Sequence, residues 1–266
     1  MTTLRALRWL AFVPGMVLAP SLAAQAVSGS FSPNPALLGE PITFTGTDAT
    51  GEGFVLSTPC AWLRIRAGAP DGPVLPQGLV CPQIIVPIGP DGSYSITWDQ
   101  TVYVAPDRVL VPPGTYWFEI ESHAPVTYQR RTDLFCIFIQ DAGAPSLKQT
   151  GPVRVGGTTG LELSAPAQPF GLYALAASWT SNRPLHGLGV PLCLSPDSLL
   201  DLSLARPSGL FARGAGFLDA AGNARGVEVR IPDVPALAHR GFHVQALLGT
   251  STGLEVTNDL SLTIQP

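Results

Sequence analysis

The stretch Pro112-Pro113-Gly114-Thr115-Tyr116-Trp117-Phe118-Glu119-Ile120 decides the fold class. Its Pro-Pro-Gly opening favours a tight turn, because proline fixes φ and glycine accepts backbone angles closed to other residues. The residues that follow are mostly aromatic or β-branched, which is typical of a β-strand. A turn that leads directly into such a run predicts an antiparallel sheet.

The same alternation of apolar and polar residues recurs on both sides of this stretch. Short runs of this kind, each bounded by turn residues, lie at Pro41–Thr45, Ala61–Arg66, Tyr94–Trp98, Gly226–Ile231, Phe242–Ala246, Leu254–Thr257 and Leu260–Ile264. A period of two predicts strands with one buried face. One segment, Ser195–Leu204, is a helix candidate, and a loop followed by a strand is an equal alternative.

The composition supports this class and excludes others. The chain has 266 residues, of which 45% are hydrophobic and 13% charged, so disorder as the main state is excluded. With 28 glycines and 27 prolines, long helices are disfavoured. The formal net charge is −4 without a basic block, which argues against a nucleic-acid partner. We therefore expect an all-β protein.

The first residues have the layout of a secretory signal peptide. Arg5 and Arg8 precede a short apolar run, and Ala24-Gln25-Ala26 fits the small-x-small rule for cleavage. A second cleavage site is available at Ser21-Leu22-Ala23. A membrane anchor needs roughly 20 apolar residues, more than this run supplies. We expect residues 1–26 to be removed, leaving a secreted protein without a membrane span, either periplasmic or extracellular.

The segment Asp141–Gly160 is rich in Gly, Pro and Thr and shows no clear long strand. We place a domain boundary there, near residue 150. The prediction is two antiparallel β-sandwich domains in tandem, at residues 27–149 and 150–266, each of a usual sandwich size.

Four cysteines in an exported chain suggest disulfide bonds. Cys60 and Cys81 flank a turn-rich excursion, and we predict that they pair. Cys136 lies in an apolar run that looks like a core strand, so a buried free thiol is one interpretation. The alternative is a bond to Cys193, which would have to cross the domain boundary.

No catalytic, metal-binding or cofactor-binding set stands out. Gly249-Thr250-Ser251-Thr252-Gly253 matches the string of a serine hydrolase, but no histidine follows it, so a hairpin loop is the better interpretation. His239 and His243 flank a turn, where residues four apart do not meet as metal ligands. Glu119 and Glu121 share one strand face, an arrangement too unspecific to predict a glycosidase. We expect no enzyme activity and no cofactor.

Two tryptophans are the candidate ligand-stacking residues, Trp98 and Trp117. Alternation places Trp117 on the face opposite to Tyr116 and Phe118. That face must either present a large aromatic ring to solvent or bury it beneath another part of the chain. An outward ring would suit the stacking of a sugar.

The first half resembles bacterial immunoglobulin-like domains. The resemblance is carried by Ser32-Pro33-Asn34-Pro35, by Gly92–Asp99 and by the turn and strand at Val111–Tyr116. The last of these segments also resembles a protease-inhibitor family with this type of sandwich. The resemblance implies a fold more than a function, because sandwiches carry many functions.

The second half resembles the C-terminal domain of uncharacterised secreted proteins from planctomycete-type bacteria. The residues that carry this resemblance are Gly209-Leu210-Phe211, Gly216–Gly222, Ile231–Ala238, Val244-Gln245-Ala246 and Val256–Ile264. It implies export and a compact β-fold, and it implies no reaction.

The sequence as a whole favours a secreted, non-enzymatic structural, adhesion or binding protein whose partner is a protein or glycan at the cell surface. One alternative is a carbohydrate-binding module that uses Trp98 or Trp117. Another is a protease inhibitor that uses the loop Ala67–Gly78. A hydrolase with unrecognised site residues is the third.

Overall fold

The computed structural model describes residues 27–56, 63–77, 85–181, 190, 192–251 and 253–266. Strands dominate this part of the chain and their pairings are almost all antiparallel, so the predicted all-β class is confirmed. The strands of the first half are β1 (Val27–Ser32), β2 (Ala36–Leu37), β3 (Ile42–Asp48), β4 (Phe54–Leu56), β5 (Leu63–Ala67), β6 (Val86–Ile88), β7 (Ser93–Trp98), β8 (Thr101–Val104), β9 (Asp107–Leu110), β10 (Gly114–His123) and β11 (Arg130–Gln140).

Two sheets face each other in the first half. One has the strand order β1-β3-β7, and the other has the order β2-β11-β10-β4-β6, with β5 also paired to β10. Strands β8 and β9 form a separate hairpin. The side chains between the two sheets are mainly aromatic: the Phe44 ring, which is fully buried, lies 4.8 Å from that of Phe135 and 6.0 Å from that of Phe118.

The second half is a second pair of sheets. Its strands are β12 (Ser146–Gln149), β13 (Thr158–Ser164), β14 (Leu172–Ser178), β15 (Phe211–Ala212), β16 (Ala215–Phe217), β17 (Asn223–Arg230), β18 (Gly241–Gly249), β19 (Leu254–Val256) and β20 (Leu260–Thr263). One sheet has the order β12-β13-β17-β15, and the other has the order β16-β14-β18-β19, with β20 also paired to β18. Apolar residues of both sheets, including Leu163, Val229 and Val244, form one buried cluster between them.

The change from one pair of sheets to the other falls between Gln140 and Ser146. Strand β12 pairs with β13, so it belongs to the second sandwich although the predicted boundary near residue 150 assigns it to the first. None of the sheets in the described residues combines strands from both sides of this point.

Helix α1 (Ser198–Ala205) overlaps the predicted candidate Ser195–Leu204 over all but its last residue, so the helix interpretation is confirmed and the loop-and-strand alternative is wrong. It begins after Asp197, whose side chain accepts hydrogen bonds from the backbone N–H groups of Leu199 and Leu200. A four-residue helix, α2 (Pro207–Leu210), follows it. No helix within the described residues has the length and apolar character needed to cross a bilayer.

We predict that Phe44→Ala lowers the free energy of unfolding of the first sandwich by about 3–5 kcal/mol, because it leaves a cavity among packed rings. Phe170→Ala is the matched control, because Phe170 is 68% exposed. It should change stability by less than about 0.5 kcal/mol. Urea denaturation followed by tryptophan fluorescence measures both, and equal effects would contradict the assigned core.

Candidate functional site

Strand β10 is buried on both of its faces. Tyr116, Phe118 and Ile120 point into the core of the first sandwich, while Trp117 points the other way and is still 0% exposed. A sheet packed on one face only would leave Trp117 in water. A further layer of the protein must therefore cover the outer face of this sheet.

The second half supplies that layer. Trp117 and its cross-strand neighbour Cys136 form a buried cluster with Phe138 and Cys193, and Val256 packs against the cluster. Cys193 and Val256 come from the second half, so this cluster is the junction between the two sandwiches. The burial alternative left open for Trp117 is the one that the structure shows.

A disulfide bond between Cys136 and Cys193 crosses the junction. The Cα atoms of the two residues are 5.6 Å apart, and 57 residues separate them along the chain. In the chain-entropy model, closing a loop of this length stabilises the fold by about 4 kcal/mol. The interpretation of Cys136 as a buried free thiol is therefore wrong: Cys136 is buried, but it is bonded.

The position of Cys193 is set by a buried glutamine. The backbone N–H of Cys193 donates to Oε1 of Gln245 on β18, at 2.7 Å. Nε2 of the same side chain donates to the backbone oxygen of Thr257, at 3.0 Å. Because Gln245 is 0% exposed and uses both ends of its amide, it holds the cysteine-bearing segment against the outer face of its sheet.

Residues Thr257, Asn258 and Asp259 tie the junction together with polar contacts. Nδ2 of Asn34, in the first half, donates to the backbone oxygen of Asp259 at 2.8 Å. Asn258 accepts from the backbone N–H of Leu147 at 2.8 Å and donates to its oxygen at 3.0 Å. This short segment therefore connects the first half with the first strand of the second sandwich.

His243 on β18 is paired with Asp259. Its Nδ1 lies 2.8 Å from Oδ2 of that carboxylate, which is almost completely buried. Burial lowers the pKa of His243, but the charge of Asp259, its hydrogen bond and the more distant charge of Asp197 outweigh burial and raise the pKa above its ordinary value. His243 is therefore a buried, paired histidine; His239, four residues earlier, is exposed and has a positive φ of 65°.

The two glutamates that share a face of β10 are held in ion pairs. Glu119 lies 2.7 Å from Nη1 of Arg64 and 2.5 Å from Nε of Arg66. Glu121 lies 2.6 Å from Nη2 of Arg130. Paired in this way, the carboxylates hold neighbouring strands of one sheet together.

A concave site lies on the second sandwich, apart from the junction. Its volume is about 310 Å³. It is lined by Tyr173, Arg213, Ala215, Gly216, Phe217, Asp219, Asn223 and Arg225. No local sequence motif predicts this site as a whole, because its two arginines and its aromatic ring come from different turns and strands.

Neither predicted stacking residue presents a ring to solvent. Trp98 is 4% exposed, and its Nε1 donates to the backbone oxygen of Thr101 at 3.0 Å. The Trp98 ring packs edge-on against those of Tyr116 and Phe118. Trp117 is covered by the junction. The structure therefore contradicts a stacking role for either residue, because both rings are needed to fill the interior.

Other predicted features have mixed outcomes. The predicted pair Cys60 and Cys81 lies outside the described residues, as does the predicted leader, residues 1–26. The segment around Ser251 connects β18 to β19 in a hairpin, as expected. Within the described ranges, no three His, Cys, Asp or Glu side chains come together as a potential metal site.

No protein-family model and no curated protein matches the chain. Solved structures match only weakly. The Pseudomonas aeruginosa CupB2 chaperone has 12% identity and a TM-score of 0.30, over 88% of this chain and 100% of the chaperone. Red sea bream transglutaminase has 8% identity and a TM-score of 0.28, over 91% of this chain. The Clostridium thermocellum CbhA fibronectin(III)-like modules have 10% identity and a TM-score of 0.24, over 90% of this chain and 93% of theirs.

The chain spans 32% of the length of the transglutaminase. Similarities at these TM-scores carry no argument about function, and the class of this protein rests on its own strands: it is an all-β protein built of sandwiches. The resemblance of the second half to secreted planctomycete-type proteins gains no support from these comparisons and stays a prediction.

We predict that replacing both junction cysteines, in Cys136→Ser/Cys193→Ser, lowers the free energy of unfolding by about 2–5 kcal/mol, because the cross-link no longer restricts the unfolded chain. Small-angle scattering should also show a wider range of arrangements of the two halves. Unchanged stability together with an unchanged scattering profile would contradict the role assigned to this bond.

We also predict a pH dependence that arises from His243. The folded-state pKa of His243 is raised, so its pairing with Asp259 stabilises the fold. This contribution is fully present at pH values below the unfolded-state pKa of about 6.5. This contribution is lost as the pH rises through the folded-state value. Urea midpoints between pH 5.5 and 8.5 should therefore fall more steeply for the native chain than for His243→Gln. Parallel curves would show that the pair contributes nothing.

Proposed function

We propose that this chain is an exported binding or structural protein whose two sandwiches act as one rigid body. The observation that carries the proposal is the junction, where the disulfide and the fully buried Trp117 join the outer faces of two sheets. Two domains that moved freely would not need to bury a tryptophan and a cystine between them. A fixed spacing suits a protein that presents or holds something at a surface.

The disulfide also supports export. Structural disulfides persist in oxidising compartments and are rare in the reducing cytosol. A bond that crosses the junction makes the arrangement of both halves depend on oxidation. The protein should therefore reach its stable form only after it leaves the cytosol.

The first residue after the predicted leader fits a new amino terminus. Val27 begins β1 and is 0% exposed, and its nitrogen lies 3.1 Å from Oδ2 of Asp133, a residue that is itself buried. Cleavage after Ala26 would turn that nitrogen into an ammonium group, a stronger partner for a carboxylate than a neutral amide. This favours cleavage after Ala26 over the alternative site after Ala23.

The protease-inhibitor alternative depends on the loop Ala67–Gly78. In its described part, the backbone N–H of Ala67 donates to Pro73 and that of Leu75 donates to Ile65. The Nη1 of Arg66 donates to the oxygen of Gly72. These bonds fold the loop back onto β5, so this part of it forms no free extended segment that could enter a protease cleft. We therefore rank inhibition below the rigid-body proposal.

The test is expression of the full chain with its leader in a bacterial host that has a periplasm. We expect a product that begins at Val27, identified by intact mass, with Cys136 and Cys193 joined in the peptide map. In this product, Asp133→Asn should lower the free energy of unfolding by about 1–3 kcal/mol, because it removes the charged partner of the amino terminus.

A chain engineered to retain Ala24-Gln25-Ala26 is the matched control. Its Val27 nitrogen stays a neutral amide, so Asp133→Asn should lower the free energy of unfolding by a smaller amount in this control. The difference between the two effects measures the free energy contributed by the ion pair. A cytosolic product that keeps its leader and has free thiols at both junction cysteines would overturn the proposal.

A further inference from the structure

We propose that the concave site on the second sandwich binds a carboxylate-bearing sugar, a uronic acid unit of an acidic glycan. The site is built by Arg213, Arg225, Asn223 and Phe217 over a floor formed by Tyr173 and Gly216. This goes beyond the proposed function. It is also independent of the junction, so either proposal can fail without the other.

The acidic residue of the site is fully used within the protein. Oδ1 of Asp219 accepts from the backbone N–H groups of Ala221 and Asn223, at 2.9 and 3.0 Å. Oδ2 accepts from Nε of Arg225, at 3.2 Å. These hydrogen bonds and the arginine hold the pKa of Asp219 below its usual range, so the carboxylate is charged and orients Arg225.

Two guanidinium groups are left with unused donors. Within the described residues, the Nη groups of Arg225 have no acceptor, and Arg213 uses only Nη1, which donates to the backbone oxygen of Arg225 at 3.2 Å. A guanidinium offers paired N–H groups that match the two oxygens of a carboxylate. Two arginines against one aspartate leave this site with a net positive charge, on a chain whose formal charge is −4.

An exposed aromatic ring lies beside these donors. Phe217 ends the edge strand β16 and is 70% exposed, so its ring is not needed for the core. Aromatic faces carry a negative quadrupole that attracts the polarised C–H groups of an apolar ring face. A sugar has such a face, and a simple inorganic anion does not.

The floor of the site, formed by Tyr173 and Gly216, is held in place by contacts within the protein. The hydroxyl of Tyr173 donates to the backbone oxygen of Arg213 at 2.9 Å, which fixes the turn that carries this arginine. Gly216 lies directly over the same hydroxyl, since a Cβ there would come within 3.3 Å of it. The absence of that methyl group keeps the site open.

Size and the remaining polar group fit one sugar unit. A volume of about 310 Å³ lies at the small end of the range for ligand sites. The side-chain amide of Asn223 makes no hydrogen bond within the described part of the chain, so it can donate to one hydroxyl and accept from another. A carboxylate, a ring face and hydroxyl groups occur together in a uronic acid.

The test is a titration of the full mature chain with oligogalacturonate, in which nitrogen-15 NMR spectra monitor the binding. Shifts should concentrate at Gly216, Asn223 and Gly226, and they should saturate. Arg213→Gln should weaken binding at least about ten-fold, as expected for the loss of a charged hydrogen-bond donor. Arg240→Gln, an exposed arginine outside the site, should leave affinity unchanged.

Variants of Phe217 and two control ligands separate the contribution of the aromatic ring from that of the charge. Phe217→Leu should weaken binding several-fold, whereas Phe217→Tyr should retain it, because only the tyrosine keeps an aromatic face. Acetate and a neutral glucose oligomer should each bind much more weakly than oligogalacturonate. Equal binding of acetate or of the neutral oligomer, no saturable shift, or an unaffected Arg213→Gln would overturn the assignment.

Discussion

The exclusion of water from the outer face of β10 is the constraint on which the two-sandwich arrangement depends. That face carries Trp117, and beside it on β11 lies Cys136, so an isolated first sandwich would expose a large indole and a sulfur atom. Fully burying an aromatic side chain contributes about 1.5–3 kcal/mol relative to leaving it in water. Cys193 and Val256 of the second half cover this face, and the disulfide then prevents the two surfaces from separating.

Polar contacts fix the relative orientation of the two sandwiches at the junction. Apolar burial alone would permit many relative rotations of two flat sheet faces, because it depends on area and not on angle. The bond from Asn34 to Asp259, and the use of both amide groups of Gln245, require one geometry. Since unsatisfied buried polar groups are costly, a rotated arrangement would lose these bonds without replacement from water. The buried pair of His243 and Asp259 belongs to the same set of contacts.

The alternation of apolar residues was enough to predict the all-β class and most of the strands, including those at Tyr94–Trp98 and Phe242–Ala246. It missed β14, whose sequence Leu172-Tyr173-Ala174-Leu175-Ala176-Ala177-Ser178 is rich in good helix formers. Packing overrides that propensity: Tyr173, Leu175 and Ala177 fill the core. On the other face, Ala176 is small enough for Leu192 and Leu194 to pack closely.

The sites were harder to predict than the strands. A single sequence shows that Trp117 points away from Tyr116 and Phe118, but not that a segment more than seventy positions later covers it. Arg213 lies in the turn before β16, Phe217 at the end of β16 and Arg225 on β17, and these three residues likewise meet only in the folded chain. The covalent link has one more consequence, which concerns proteolysis. A protease that cut the backbone anywhere between the two bonded cysteines would leave both fragments attached, so a nicked molecule would keep its two halves until a reductant released them.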